Sequence, residues 1–219
     1  MLLNCSDIFV EMNFKDRFII PEESFTLKNS VLKSNGYYYC KLTNPNFCEY
    51  KTHNNVTNPV QESKFTEKYI KTIIIYNDGS FYYPYNTSFS GIDKSATNFC
   101  NNVKKQNNYE LAKTRYEKYI MNRLENNNRF NKGIFEKGVY NLYEDNIMIF
   151  QSYQGWPFYE YTIEHYGKIL NDSTFVLELS KIYETNEIDI LKDTFHFSSF
   201  DKIPKQSSYI LKNRKKFGK

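Results

Sequence analysis

Lys137–Tyr183 reads KGVYNLYEDNIMIFQSYQGWPFYEYTIEHYGKILNDSTFVLELSKIY, and this stretch decides the fold. Apolar and polar residues alternate through it with a period of two, the spacing of side chains on opposite faces of a strand. Turn-forming residues interrupt the alternation at Glu144-Asp145-Asn146 and at Leu170-Asn171-Asp172. The reading is therefore two consecutive hairpins. Tyr159, Tyr161, Ile163 and His165 share one face, and Glu160, Thr162 and Glu164 share the other. Further on, Phe175, Leu177 and Leu179 are expected on one face, opposite Val176 and Glu178.

The pattern extends outward in both directions. DTFHFSSF (193–200) reads as another strand, and SYIL (208–211) as a short one that closes the set. Upstream, KYIKTIIIYNDGSFYYPY (68–85) places two β-branched and aromatic runs around Asn77-Asp78-Gly79. Gly79 supplies the positive φ that a tight hairpin needs. The strands fall at about 69–76 and 80–85. GYYYCKLT (36–43) is an aromatic strand between turn signals, and Phe18-Ile19-Ile20-Pro21 a short extended piece. Residues 44–66 read as loop. Strands at short spacing imply an antiparallel up-and-down meander. About eight such strands close on themselves, because closure removes exposed edges.

One segment breaks the rule. Over 95–126 Gly and Pro vanish, and Tyr109, Ala112, Tyr116, Ile120 and Leu124 recur at steps of three and four. This is an amphipathic helix of about 108–126, with Arg115, Lys118 and Arg123 on its wet face. A weaker helix containing Phe99 and Val103, capped by Asp93 or Ser95, precedes it.

Composition agrees. The 219 residues include 20 Tyr and 18 Phe, enough large rings to fill one core. The net charge of +4 is carried by the end of the chain. Lys202, Lys205, Lys212, Arg214, Lys215, Lys216 and Lys219 leave 22 basic against 25 acidic residues elsewhere. A solvated, frayed terminus is the plain expectation for that stretch. The organisation read is a leader or tether over 1–34, one β-barrel-like domain over 35–211 with the helical insertion at 95–126, and a basic tail over 212–219.

The motifs exclude more chemistry than they supply. No Gly-rich phosphate loop, G-x-S-x-G or H-E-x-x-H occurs, and Cys40, Cys48 and His53 do not match a zinc spacing. No catalytic residue, metal or cofactor is assigned. The slightly negative body argues against nucleic acid. His165 near an acid such as Glu178, or the pair Glu160 and Glu164, would suit a hydrolase, although structural histidines and wet glutamates are commoner. Cys40 and Cys48 would close a small loop in an oxidising compartment if their geometry allowed. Trp156, the only tryptophan, sits in QSYQGWPFYEY (151–161) with Tyr153 and Tyr159. These three are the candidate ligand contacts, at the mouth of the barrel.

Leu2-Leu3-Asn4-Cys5 looks like the end of a lipoprotein signal, with Cys5 as the lipid-bearing residue. Four residues are too few for a signal as written. Either the leader lies upstream or the likeness is chance.

GVYNLYEDNIMIFQSY (138–153), YGKILNDSTFVL (166–177) and FHFSSFDKIPKQSSYI (195–210) together resemble a group of uncharacterised lipoprotein-like proteins of Bacteroidetes bacteria. Gly138, Tyr140, Ile147, Ile149 and Gln151 match its first phrase. Gly167, Ile169, Asn171, Asp172, Thr174 and Phe175 match its second. Phe200, Pro204 and Ser207 match the third loosely, with Lys205-Gln206 replacing the expected order. The resemblance covers about 133–211. It implies a lipocalin-like meander or barrel and a cell-envelope location, favours lipid attachment at Cys5, and implies no activity. The expectation is a monomeric, non-enzymatic binding or interaction module for a small apolar ligand or a protein partner. Alternatives are a hydrolase using Glu and His residues near 160–196, an inhibitor or immunity-type protein acting through the helix, and a cytoplasmic protein if Cys5 bears no lipid.

Overall fold

The computed structural model describes residues 18–21, 32–48, 65–84, 88–92, 107–125, 137–143, 146–156, 159–204 and 209–217. In chain order they form β1 (Gly36–Cys48), β2 (Phe65–Ile75), β3 (Ser80–Tyr82), β4 (Phe89–Ser90), α1 (Tyr109–Glu125), β5 (Lys137–Leu142), β6 (Ile147–Trp156), β7 (Tyr159–Asn171), β8 (Thr174–Ile182), β9 (Ile188–Ser199), α2 (Tyr209–Lys212) and α3 (Arg214–Phe217). The sheet order is β1-β9-β8-β7-β6-β5-β3-β2, with the two-residue β4 beside β2, and β1 also pairs with β2. Eight antiparallel strands thus close into an up-and-down barrel with one helical insertion. The stretch 208–211, expected as a strand, is corrected: Tyr209–Lys212 is a turn of helix. Four residues are too short for either period to decide.

The hairpins form where turn chemistry allows them. Gly79 has φ 84°, and Asp78 Oδ1 accepts from the Ser80 N–H (2.8 Å) and hydroxyl (2.6 Å). Asn146 ends the β5–β6 turn at φ 60°, a left-handed conformation that asparagine tolerates. The β7–β8 turn falls at Asp172-Ser173, slightly later than expected. There Asn171 Oδ1 accepts from the Ser173 N–H (2.9 Å), a side-chain turn that fixes the reversal. The Ser173 hydroxyl donates to Asp172 (2.7 Å), and with Lys33 it holds that exposed carboxyl below its usual range.

The chain divides into two compact units: Met1–Cys40 with Thr72–Tyr85 and Met121–Lys219, and Lys41–Lys71 with Asn86–Ile120. The first has an aromatic core. Phe175 stacks on Phe195 (centroids 5.0 Å apart, planes at 9°) and meets Tyr38 (5.1 Å) and Phe150 (5.8 Å). Phe150 meets Phe81 edge-on at 4.9 Å and Tyr140 at 5.7 Å. All six are fully buried. A Cβ on Gly138 would run into the Gln151 carbonyl and the Phe81 ring, so glycine is what lets Phe81 lie flat across β5.

Cys40 is buried on β1, and Cys48 lies eight residues along the same strand. The side chain of Cys48, and with it the small disulfide loop considered above, lies outside the described residues.

Buried phenols make the fold sensitive to alkali. Desolvation pushes the hydroxyls of Tyr38, Tyr76 and Tyr140 far above their usual range, and that of Tyr166 up to about 12, helped by its hydrogen bond to Glu164. A raised folded-state pKa means the fold holds the proton more tightly than the unfolded chain does. Their contribution is therefore complete below the unfolded phenol pKa of about 10 and is lost as pH rises from there. Tyr166 completes its loss near pH 12, and the other three lie beyond. We expect urea midpoints to fall steadily from about pH 10 upward, and Tyr140→Phe to flatten that fall. A midpoint level to pH 11.5 would refute the burial account.

The second unit is organised by two asparagines. Asn107 takes the place of a strand partner: its Oδ1 accepts from the Lys68 N–H (2.8 Å) and its amide donates to the Thr66 carbonyl. Asn108 caps α1, accepting the Leu111 N–H (2.7 Å). Ala112, Tyr116 and Ile120 form the buried stripe, with Phe89 against Tyr116 (5.0 Å) and Tyr119 (5.2 Å). Arg115 is a correction. Its guanidinium donates to the carbonyls of Ser90 and Ile92, satisfying backbone acceptors beside β4, and so leaves the wet face. The weaker helix with Phe99 and Val103 lies outside the described residues. Among the described residues, no helix is long and apolar enough to cross a membrane.

Candidate functional site: the polar end of the barrel interior

Cross-strand register shows which side chains share the interior. One row runs Tyr140–Phe150–His165–Ser180–Asp189 over β5 to β9. The next runs Phe81–Gly138–Ser152–Ile163–Ile182 over β3 to β8. Phe150 and Phe81 are core rings, so the buried members of their rows face inward, whereas Asp189 at the end of the first row is exposed. Along that first row the buried side chains change from aromatic on β5 and β6 to polar on β7 and β8. Ser152, His165, Ser180 and Asp193 are all buried, and Asp193 lies opposite Leu177. The His165 ring meets Tyr83 edge to face at 5.5 Å. Ser152 Oγ, fully buried, has no hydrogen-bond partner among the described residues. An unmet buried hydroxyl costs about 1–3 kcal/mol, which a ligand atom or a water would recover.

Ser180 reaches this row because β8 is bulged. Tyr166 pairs with Leu179 but Gly167 pairs with Leu177, so Glu178 is an extra residue. The bulge inverts the faces that follow. Leu179 turns away from the face of Leu177, contrary to simple alternation, and Ser180 turns in opposite His165. Glu178 is exposed and His165 is buried, so this expected pair is not made.

Of the expected pair Glu160 and Glu164, the Glu160 side chain lies outside the described residues. Glu164 lies on the opposite face of β7 from its neighbour His165. It is no wet-face glutamate: it is buried, accepting from Gln151 Nε2 (2.8 Å) and the Tyr166 hydroxyl (2.7 Å). Gln151 Oε1 in turn accepts the Ile19 N–H (2.7 Å). This chain of bonds lies beneath residues 18–21. His196 is exposed on β9, its ring beside Tyr39 at 6.3 Å and paired there with Thr174, so the barrel wall separates it from His165. His53 is outside the described residues. Among the described residues, no cluster of three metal-ligating side chains exists.

Trp156 and Tyr159 are directly opposite in the β6–β7 ladder, and Tyr153 pairs with Thr162. Their backbones stand at the same barrel end to which the row of Ser152 leads. Cys5 is outside the described residues. Sequence reasoning missed Ser152 and Ser180. Ser152 was visible as a polar residue in phase with Met148 and Phe150, whereas Ser180 was hidden by the bulge. Comparison with known proteins finds no family model, no curated protein and no solved structure that matches this chain. Function is argued from the site alone.

Proposed function

We propose that the protein is a non-enzymatic binding module whose barrel takes a small, partly apolar ligand through the end bearing Trp156 and Tyr159. The observation that carries this reading is Ser152: a fully buried inward hydroxyl without a hydrogen-bond partner among the described residues, next to the interior row of His165 and Ser180. A ligand with an apolar body and one hydrogen-bonding group suits aromatic walls that give way to these polar side chains. The opposed faces of Glu164 and His165 weigh against a hydrolytic pair. The reading includes a cell-envelope location with lipid on Cys5, supported by Leu2-Leu3-Asn4-Cys5 and by the resemblance to the Bacteroidetes group.

The probe is the dye 1-anilinonaphthalene-8-sulfonate. We expect saturable one-site binding with energy transfer from Trp156, the only tryptophan. Ser152→Leu, which fills the interior, should weaken binding at least tenfold while the circular dichroism spectrum stays native. No saturable binding, or equal binding by the variant, overturns the reading. In a host that processes lipoproteins, labelled palmitate should enter the native chain and not Cys5→Ser. A native chain without label removes the anchor.

A further inference from the structure

The barrel wall has an opening at β9. Its ladder with β8 runs from Ile188 to His196, but its ladder with β1 ends at the rung Cys40↔Phe195. Among the described residues, Ile188–Ile190 is therefore paired on one side only, and Leu191 and Lys192, both opposite Glu178, form a bulge. The orientation of the free backbone groups follows from one bond. The Ile182 N–H donates to the Glu187 carbonyl (2.9 Å), which makes 182 and 187 a hydrogen-bonded rung. Rungs alternate along an antiparallel ladder, so Lys181↔Ile188 and Leu179↔Ile190 are non-hydrogen-bonded. The N–H and C=O of Ile188 and Ile190 then point away from β8, toward the open side. The side chains of these two residues are 58% and 81% exposed.

Open edges are normally blunted by lysine, proline or charge. Here Lys192 and the bulge guard one end of the stretch, and Ile188 and Ile190 each present a donor and an acceptor to the open side. The adjoining hairpin tip, 183–187, carries Glu184 and Glu187, Asp189 follows, and no base lies between 183 and 190. Glu184 is held in place by the Thr162 N–H, at 2.9 Å from Oε2.

The geometry points to β9 as a docking edge for an extended segment of a partner chain, one with alternating apolar residues and lysines or arginines at the end lying over the tip. Such a strand completes the ladder through the amides and carbonyls of Ile188 and Ile190, and its basic end meets the acids. A second copy of this chain is a poorer fit. So short an edge falls well short of the roughly 800 Å² per partner that a stable interface buries.

The test uses the isotope-labelled full chain and two capped peptides, Thr-Val-Thr-Val-Thr-Lys-Lys and Thr-Val-Thr-Val-Thr-Glu-Glu, whose charged C-terminal end lies over the tip when the strand runs antiparallel to β9 as β1 does. Amide shifts should concentrate at Ile188–Ile190 with the basic peptide, weaken with added salt, and need at least tenfold more of the acidic one. Ile190→Lys, at a site too exposed to disturb the core, should reduce binding of the basic peptide at least tenfold. Equal response to both peptides overturns the inference, as does no response at millimolar peptide. So does a concentration-dependent shift of the same amides without peptide, which would assign the edge to a second copy. Dye binding inside the barrel is read separately, so neither proposal stands or falls with the other.

Discussion

Replacing Phe175 by alanine is expected to remove about 3–5 kcal/mol of stability, the usual cost of deleting a fully buried aromatic ring. The ring is the hub of the first unit's core, in contact with Tyr38, Phe150 and Phe195. Phe150 carries the contact on to Phe81 and Tyr140. Close-packed interiors collapse only in part around such a hole, so the remaining rings lose partners as well as the missing one. Against a total of about 5–15 kcal/mol for a folded domain, the loss is about a fifth or more. At about 2–3 kcal/mol per molar urea, the midpoint should drop by roughly 1–2 M. Phe175→Leu keeps most of the volume and should cost less than half as much. Leu170→Ala removes an apolar side chain of similar size from an exposed position, and should move the midpoint by no more than about 0.5 kcal/mol equivalent. If Phe175→Ala and Leu170→Ala shift the midpoint alike, the stacked rings are not the core.

What could be read in the sequence was what neighbouring residues decide. The hairpins at 77–79 and 144–146 and the helix α1 depend on turn residues and on periods of two and 3.6, which fit within a short window. Features set by distant parts of the chain were invisible. Ser180 faces inward because the register between β7 and β8 slips at Glu178, and a slip belongs to two strands rather than one. Glu164 looked solvated because its strand alternates cleanly. Its partner Gln151 is bonded to Ile19, more than a hundred positions away. Arg115 was placed on the wet face by helical phase, before the two carbonyls beside β4 that it satisfies were known. The candidate site was only partly legible for the same reason: the interior hydroxyls of Ser152 and Ser180 needed the ladder.

Residues 18–21 and 209–217 pack on one another, and cutting the second segment should loosen the first. Residues 18–21 were read as part of a tether, 208–211 as a strand and 212–219 as a basic tail; Phe18, Val139, Ile210 and Phe217 form one buried cluster. Phe18 meets Phe217 edge to face at 6.2 Å, and its N–H donates to the Phe217 carbonyl (3.2 Å). Asn141 Nδ2 donates to the Ile19 carbonyl (2.6 Å), and Arg214 donates to the Pro21 carbonyl. The Ile19 N–H donates to Gln151, which in turn donates to the buried Glu164. Removing residues 209–219 strips two of the four cluster members and should cost about 3 kcal/mol or more, by lost apolar burial alone. Because Phe18 then loses its anchor, hydrogen exchange at the Ile19 amide should rise at least a hundredfold, while amides of the β7–β8 ladder stay protected. The single variants Phe18→Ala and Phe217→Ala separate coupling from simple loss. Two rings in contact should give a double-mutant interaction of about 0.5–1.5 kcal/mol. Strict additivity, with Ile19 still protected after the truncation, would mean that the two termini merely lie side by side.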